Sequence, residues 1–194
     1  MTIRIAAGLA LAWASVGTAS AEPARYTIDP EHFSIVFNAQ HIGYGAVWGM
    51  FLKGSGSFVF DETARTVEDL TVEIETGSVF SNSDARDQHL RSAEFLSAEA
   101  HPVATFTMTG AVADSETAGT VTGDLTVRGE THPVTLDVTL NKVGPYPWGP
   151  NHVVGITATT TIARSAWGMT YALDGDLVAD EIPLVIELEA IRQD

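Results

Sequence analysis

The side chains able to do chemistry are few and poorly arranged for it. Six histidines (His32, His41, His89, His101, His132, His152) occur without H-E-x-x-H or H-x-H spacing, and cysteine is absent. Neither a sequence-local zinc site nor a thiol nucleophile is therefore encoded. Gly54-Ser55-Gly56 lacks the G-x-S-x-G nucleophile elbow and reads as backbone relief in a bent strand. No carboxylate pair stands out as acid and base, so no catalytic residue is assigned. His41 falls on the apolar face of its segment, and Arg86, Arg91 and Arg164 are among few cations. Convergent guanidinium groups are what a phosphate would require. The richer set is apolar: Phe37, Trp48, Phe51, Phe106, Met108, Trp167 and Met169 suit the lining of a dry groove, although for each one taken singly core packing is the better account.

These residues lie in segments that alternate apolar with polar, the signature of strands with one buried face. Phe33, Ile35, Phe37, Ala39 and His41 share one parity. After a glycine-rich turn at residues 43–45, Trp48, Met50 and Leu52 share another, rejoined by Phe58 and Phe60. Phe51 lies on the opposite parity, so it and Trp48 line one groove only if the strand bulges. Leu70, Val72 and Ile74 form a further strand; Phe106 and Met108, then Val121, Leu125 and Val127, continue the series. Val134, Leu136, Val138 and Leu140 give the clearest alternation, followed by Val154, Ile156, Ala158 and Ile162, and by Leu184, Ile186 and Leu188. About eight strands result, separated by Gly, Asp, Asn and Pro turns, with a tight hairpin at Gly129-Glu130. One segment departs from this: Ser81 with Asp84 has capping-box spacing, and Asp84 to Arg91 reads as a short helix. Gly144 to Pro150 forms a stiff aromatic loop.

Eight mostly antiparallel strands close into a barrel or stack as a sandwich, and the long strands at residues 47–61 and 131–143 favour the barrel. Such a barrel holds one small ligand if its own side chains do not fill it. Small residues (Ala39, Gly49, Gly54, Gly56, Gly123, Ala158) beside large aromatics fit either an open or a filled interior.

The first residues read as an export signal: Arg4, an apolar run from Ile5 to Val16 too short to span a bilayer, and Ala19-Ser20-Ala21 as cleavage site. Residues 22–194 then form one domain in the periplasm or outside the cell. Losing Arg4 takes the formal charge from −15 to −16, which argues against nucleic acid and against anionic lipid surfaces.

The ordered blocks of the chain resemble a known family. Tyr26-x-Ile28-Asp29-Pro30-x-His32-Phe33-Ser34 with Phe37 and His41 is followed by Gly49-x-Phe51, then Gly56-x-Phe58-x-Phe60-Asp61. Arg86-Asp87-x-His89-Leu90 with Phe95 and Pro102 comes next, then Gly123-Asp124-Leu125-Thr126-Val127-Arg128-Gly129, Arg164-x-x-x-Gly168-Met169 and Asp180-Glu181 with Ile186. Together they resemble the YceI-like polyisoprenoid-binding proteins over essentially all of residues 22–194. Gly54 stands where the family often has an aromatic, and Trp167 where Phe is usual.

The resemblance implies an all-β fold: a single, extended, eight-stranded antiparallel lipocalin-like barrel with one short helical insertion. It implies a periplasmic protein without catalysis or cofactor, binding an isoprenoid lipid such as a quinone or polyprenyl. Phe37, His41, Trp48, Phe51, Leu90, Phe95, Phe106, Met108, Trp167 and Met169 are the expected ligand contacts, with Arg86 and Arg164 at the head group. Among so many acidic groups a neutral head is favoured. Transient membrane contact and a homodimer stay open, as do two other readings: an enzyme or metal protein on the same barrel, or a carbohydrate-binding or adhesive module using Trp148.

Overall fold

The computed structural model describes residues 22–193, and the stretch expected to be an export signal lies outside them. Ten strands follow in order: β1 (Ala24–His41), β2 (Gly45–Phe51), β3 (Gly54–Asp61), β4 (Thr66–Glu75), β5 (Val79–Phe80), β6 (Val103–Ala113), β7 (Ala118–Val127), β8 (Glu130–Pro145), β9 (His152–Ala163) and β10 (Glu181–Arg192). Eight of them close on themselves in the order β1-β3-β4-β6-β7-β8-β9-β10, with β10 pairing back to β1. Every pairing is antiparallel. The expected barrel is therefore present, and closure leaves those eight strands no free edge along most of their length.

The expected long strand over residues 47–61 is interrupted at Leu52-Lys53. Its halves serve the two ends of β1, with β2 against residues 35–41 and β3 against residues 24–27. The short β5 pairs with β2, so the sheet extends beyond the closed barrel at one end.

Parity sorts the barrel into an apolar inside and a polar outside. Val134 to Leu140, Val154 to Ile162 and Leu184 to Leu188 all turn their even-numbered side chains inward, as their alternation requires. Bulges reverse the parity at set points. Residues 29–32 of β1 lie opposite little of β10, so Tyr26 and Ile28 point inward before the bulge, and Phe33 and Ile35 after it. A second register shift falls in β4 beside Asp69, whose φ of 53° is left-handed. The hairpin turn between β7 and β8 comprises Arg128 and Gly129, both at positive φ, the geometry that matches the twist of two-residue hairpins.

The two ends of the barrel differ. One carries the chain termini of β1 and β10, the turns at residues 62–65 and 114–117, and the loop at residues 146–151. The other is covered by residues 76–102, which include the helix α1 (Asp84–Arg91), and by residues 164–180. α1 has the bounds expected from sequence, but its start is held differently. Ser83 is the N-cap residue and makes no side-chain cap bond. Instead, Ser81 gives its N–H (2.7 Å) and hydroxyl (2.5 Å) to Oδ1 of Asp87, a buried carboxylate. The Ser81–Asp84 capping box is thus replaced by Ser81–Asp87, one helical turn further on.

Candidate functional site

Inside the barrel lies a cavity of about 550 Å³, within the range of small-molecule sites. Its walls are the inward faces of the strands: Phe33 and Ile35 from β1, Phe58 and Phe60 from β3, Val72 and Ile74 from β4, Phe106 from β6, Leu136 and Val138 from β8, Ala158 from β9 and Ile186 from β10, among others. Gly54 contributes by what it lacks. A Cβ there would stand 2.3 Å from the Phe33 ring, so the glycine gives that ring its place in the wall.

The cavity reaches solvent at the end that carries the strand turns. Ala64 and Thr66 of one turn, and Ser115, Glu116 and Thr117 of the other, form part of its rim, and all are exposed. At this end polar contacts tie β1, β9 and β10 to Glu62 in the turn after β3. The Tyr26 hydroxyl donates to Glu62 Oε1 at 2.6 Å, and His152 Nε2 lies 2.8 Å from the same oxygen. Arg192 Nη1 is 3.8 Å from it. Burial and the bond to Glu62 push the Tyr26 hydroxyl pKa well up, so it remains a neutral donor.

The far end is closed by a cover built on Arg164, which is 4 % exposed. Its Nε donates to Ala179 O (2.9 Å), Nη1 to Met169 O (2.5 Å), and Nη2 to Tyr171 O and Val178 O (both 2.9 Å). Burial lowers its pKa, opposed by Asp180. One guanidinium thereby organises residues 164–180 from within. Its carbon also sits 5.7 Å above the Phe95 ring, and Phe95 packs against His89 and Tyr171. Arg128 Nη1 donates to Ala93 O (2.8 Å) and to Phe95 O, tying residues 76–102 to the barrel rim. Trp167, almost wholly buried, donates its indole N–H to Leu125 O at 3.2 Å.

The structure thus divides the residues singled out from sequence. Phe51, Phe106 and Met169 lie in the cavity wall. Phe37 packs on Phe51, with ring centroids 6.0 Å apart, and Met108 and Leu90 pack against the same apolar core. Phe95 and Trp167 belong to the cover. His41 is exposed and forms a β-bridge to Val178 outside the cavity.

Trp48 requires a correction. β1 and β2 pair without a bulge, Asn38 opposite Trp48 and Phe37 opposite Gly49. Odd residues of β2 therefore face inward and Trp48 faces out, 62 % exposed. Of the expected head-group residues, Arg164 is spent on the cover. Arg86 binds Ser81, Nε to the hydroxyl at 2.7 Å and Nη2 to the carbonyl at 2.5 Å. The cation that does stand in the cavity wall is Arg65, which the sequence reading missed. Only a turn residue's backbone geometry aims it there, and no periodicity announces that.

On the outer surface Asp29, His32 and Glu189 bring three ligating atoms within 4.8 Å of one another. The bulge accounts for their positions. His32 Nδ1 is 2.9 Å from Asp29 Oδ2, and the Glu31 N–H donates to Asp29 Oδ1 at 2.9 Å.

A closed antiparallel barrel with an apolar interior, open at one end and covered at the other, defines a small-molecule binding barrel built like the lipocalins. The match to known proteins gives the family. The YceI-like domain matches residues 26–190, and the chain belongs to the YceI-like family. Relatives include a UPF0312 protein of Pectobacterium carotovorum, 39% identical over 180 residues (93% of this chain, 92% of the relative). Protein YceI of Salmonella arizonae is 38% identical over 188 residues, 96% of each chain. Among solved structures, the Campylobacter jejuni YCEI protein superposes with a TM-score of 0.70 at 28% identity, covering 80% of this chain and 90% of that one. A polyisoprenoid binding domain from Saccharophagus degradans shares the fold, with a TM-score of 0.59 at 13% identity, covering 89% of this chain and 100% of that one.

Proposed function

We propose that the protein is a periplasmic carrier that sequesters a long-chain isoprenoid lipid, a quinone or a polyprenyl, without transforming it. The observation that carries this reading is the cavity itself: an apolar space inside a closed barrel, with exposed turn residues at its rim. Each methylene moved from water into it contributes about 0.8 kcal/mol, and a long tail gathers many such increments against the cost of ordering it. No reacting group is needed, because partitioning is the mechanism. The likeness to a polyisoprenoid binding domain supports the choice of ligand class, and the expected leader supports the compartment.

The mouth stands at the same end as the loop at residues 146–151. There Trp148 is 82 % exposed and packs edge-on against Tyr146, with centroids 5.7 Å apart. Tryptophan and tyrosine favour the interface of a bilayer, from which a tail would be taken up. Mass spectrometry of an organic extract of the natively purified protein tests the proposal. An isoprenoid lipid near one per chain is the expected result; an extract containing only straight-chain lipids, or none, rejects it.

A further inference from the structure

Among the described residues the rim of the cavity contains one cation, and its setting is unusual. Arg65 closes the turn between β3 and β4 with a φ of 58°. The turn is fixed by Asp61, whose carboxylate accepts the N–H of Thr63 and of Ala64 (2.8 Å each) and whose carbonyl accepts the N–H of Arg65 (2.9 Å). A left-handed conformation is unfavourable for a residue with a side chain, and glycine would adopt it without that strain. The arginine side chain stands in the cavity wall. Its Nη1 is shielded from solvent and has no protein acceptor among the described residues. Buried charged donors are costly to leave unmade.

Glu68 and Glu116 share this rim, yet neither comes within ion-pair distance of Arg65 among the described residues. They set the electrostatics of any head group that Arg65 meets. A phosphate or diphosphate would bring negative charge towards two carboxylates, in a chain of formal charge −15, with one guanidinium to offset it. A neutral carbonyl oxygen supplies the missing acceptor without that repulsion.

We propose that Arg65 is the head-group residue of the cavity and selects a chain ending in a neutral carbonyl, the chemistry of a quinone ring, over one ending in phosphate. This rests on the carrier reading above and goes beyond it by naming the head group and the residue that recognises it. A hydrogen bond to a charged group contributes about 1.5–3 kcal/mol, so the preference for carbonyl over bare hydrocarbon is about tenfold or more.

The test uses the purified, delipidated protein and three probes: a farnesyl-substituted benzoquinone, farnesyl diphosphate and the hydrocarbon squalene. The quinone should bind the wild type about tenfold more tightly than either of the others. Arg65→Leu should abolish that margin while squalene affinity holds. Arg65→Gln, which keeps a neutral donor, should retain part of the margin and guards against a Leu variant that folds poorly. Squalene bound as before with the quinone preference intact in both variants would overturn the role of Arg65 alone. Diphosphate binding tightest would overturn the choice of head group. A wild type that binds neither squalene nor quinone would overturn the carrier reading, and this inference with it.

Discussion

The hydroxyl of Tyr26 and the carboxylate of Glu62 meet at 2.6 Å at the open end of the barrel, linking the start of β1 to the turn after its neighbour β3. The Tyr26 ring is fully buried and stacked on Phe58, with an interplanar angle of 8°. Tyr26→Phe keeps that stacking and removes only the bond. A loss of about 1.5–3 kcal/mol in urea denaturation is expected; unchanged stability would show that the bond contributes nothing net.

Ala158 lines the cavity midway along β9, between Val138 and Ile186. Ala158→Phe should fill room that several methylenes of a tail would occupy. At about 0.8 kcal/mol each, lipid affinity should fall at least about tenfold. Trp48→Ala removes a larger side chain from the outer face and should leave affinity unchanged. Equal losses in both variants would place the ligand somewhere other than the lumen.

Arg164→Met should be among the most damaging substitutions in the cover. It strands four carbonyl oxygens that the guanidinium now satisfies. Breaking a buried charged network costs about 3–5 kcal/mol. Proteolysis should cut residues 164–180 first, well below the denaturant concentration that opens the barrel. Simultaneous loss of cover and barrel would show one cooperative unit.

The bulge in β1 should respond to pH from both sides. The bond to His32 holds the Asp29 carboxyl below its ordinary pKa of 3.8. The same bond, aided by Glu189, holds the imidazole above 6.5. Asp29's contribution is present above its unfolded pKa and is lost as pH falls through its lower folded value. That of His32 is complete below about 6.5 and is lost as pH rises through its higher folded value. Exchange of the Glu31 amide, which donates to Asp29, should therefore be slowest relative to its intrinsic rate between those limits and should quicken on either side. A flat profile would dismiss the pair as a clamp. His32→Asn should remove the alkaline limb and weaken the acid one, which the Glu31 N–H alone would then support.

Trp148→Ala should slow uptake of an isoprenoid from phosphatidylcholine vesicles severalfold while leaving affinity in detergent-free solution unchanged. The residue stands beyond the cavity wall, on a loop flanked by Pro145, Pro147 and Pro150. Vesicle transfer undiminished in this variant but lost in Trp48→Ala would assign the membrane contact to the opposite end of the molecule.

Much of the barrel could be read before any coordinates existed. β9, β10 and β8 as far as Leu140 bury one parity, so alternation alone names their inward side chains; past the register shift at Asn141 the odd-numbered Val143 joins the core. The opening hairpin could not be resolved that way. β2 carries apolar groups on both parities, Trp48 and Met50 against Val47 and Phe51, and only its register with β1 decides which set faces in. That register depends on the turn at residues 42–44 and not on hydropathy. The arginines fail for another reason. Arg164 serves backbone carbonyls that no motif displays, whereas Arg65 owes its direction to a left-handed turn residue.

The bulge beside Asp69 has a genetic consequence. Val67 and Leu70 pack against the same apolar core although one is odd and the other even, because the extra residue absorbs the difference. Loss of a single codon there would leave Val67 and Leu70 two residues apart, the spacing of an unbulged strand, so both would still face the lumen. The strand would lose its local bend and keep its apolar face. The gene can thus shed a codon at this point of the lip, whereas the same loss between Val134 and Leu140 would turn one end of a wall strand inside out.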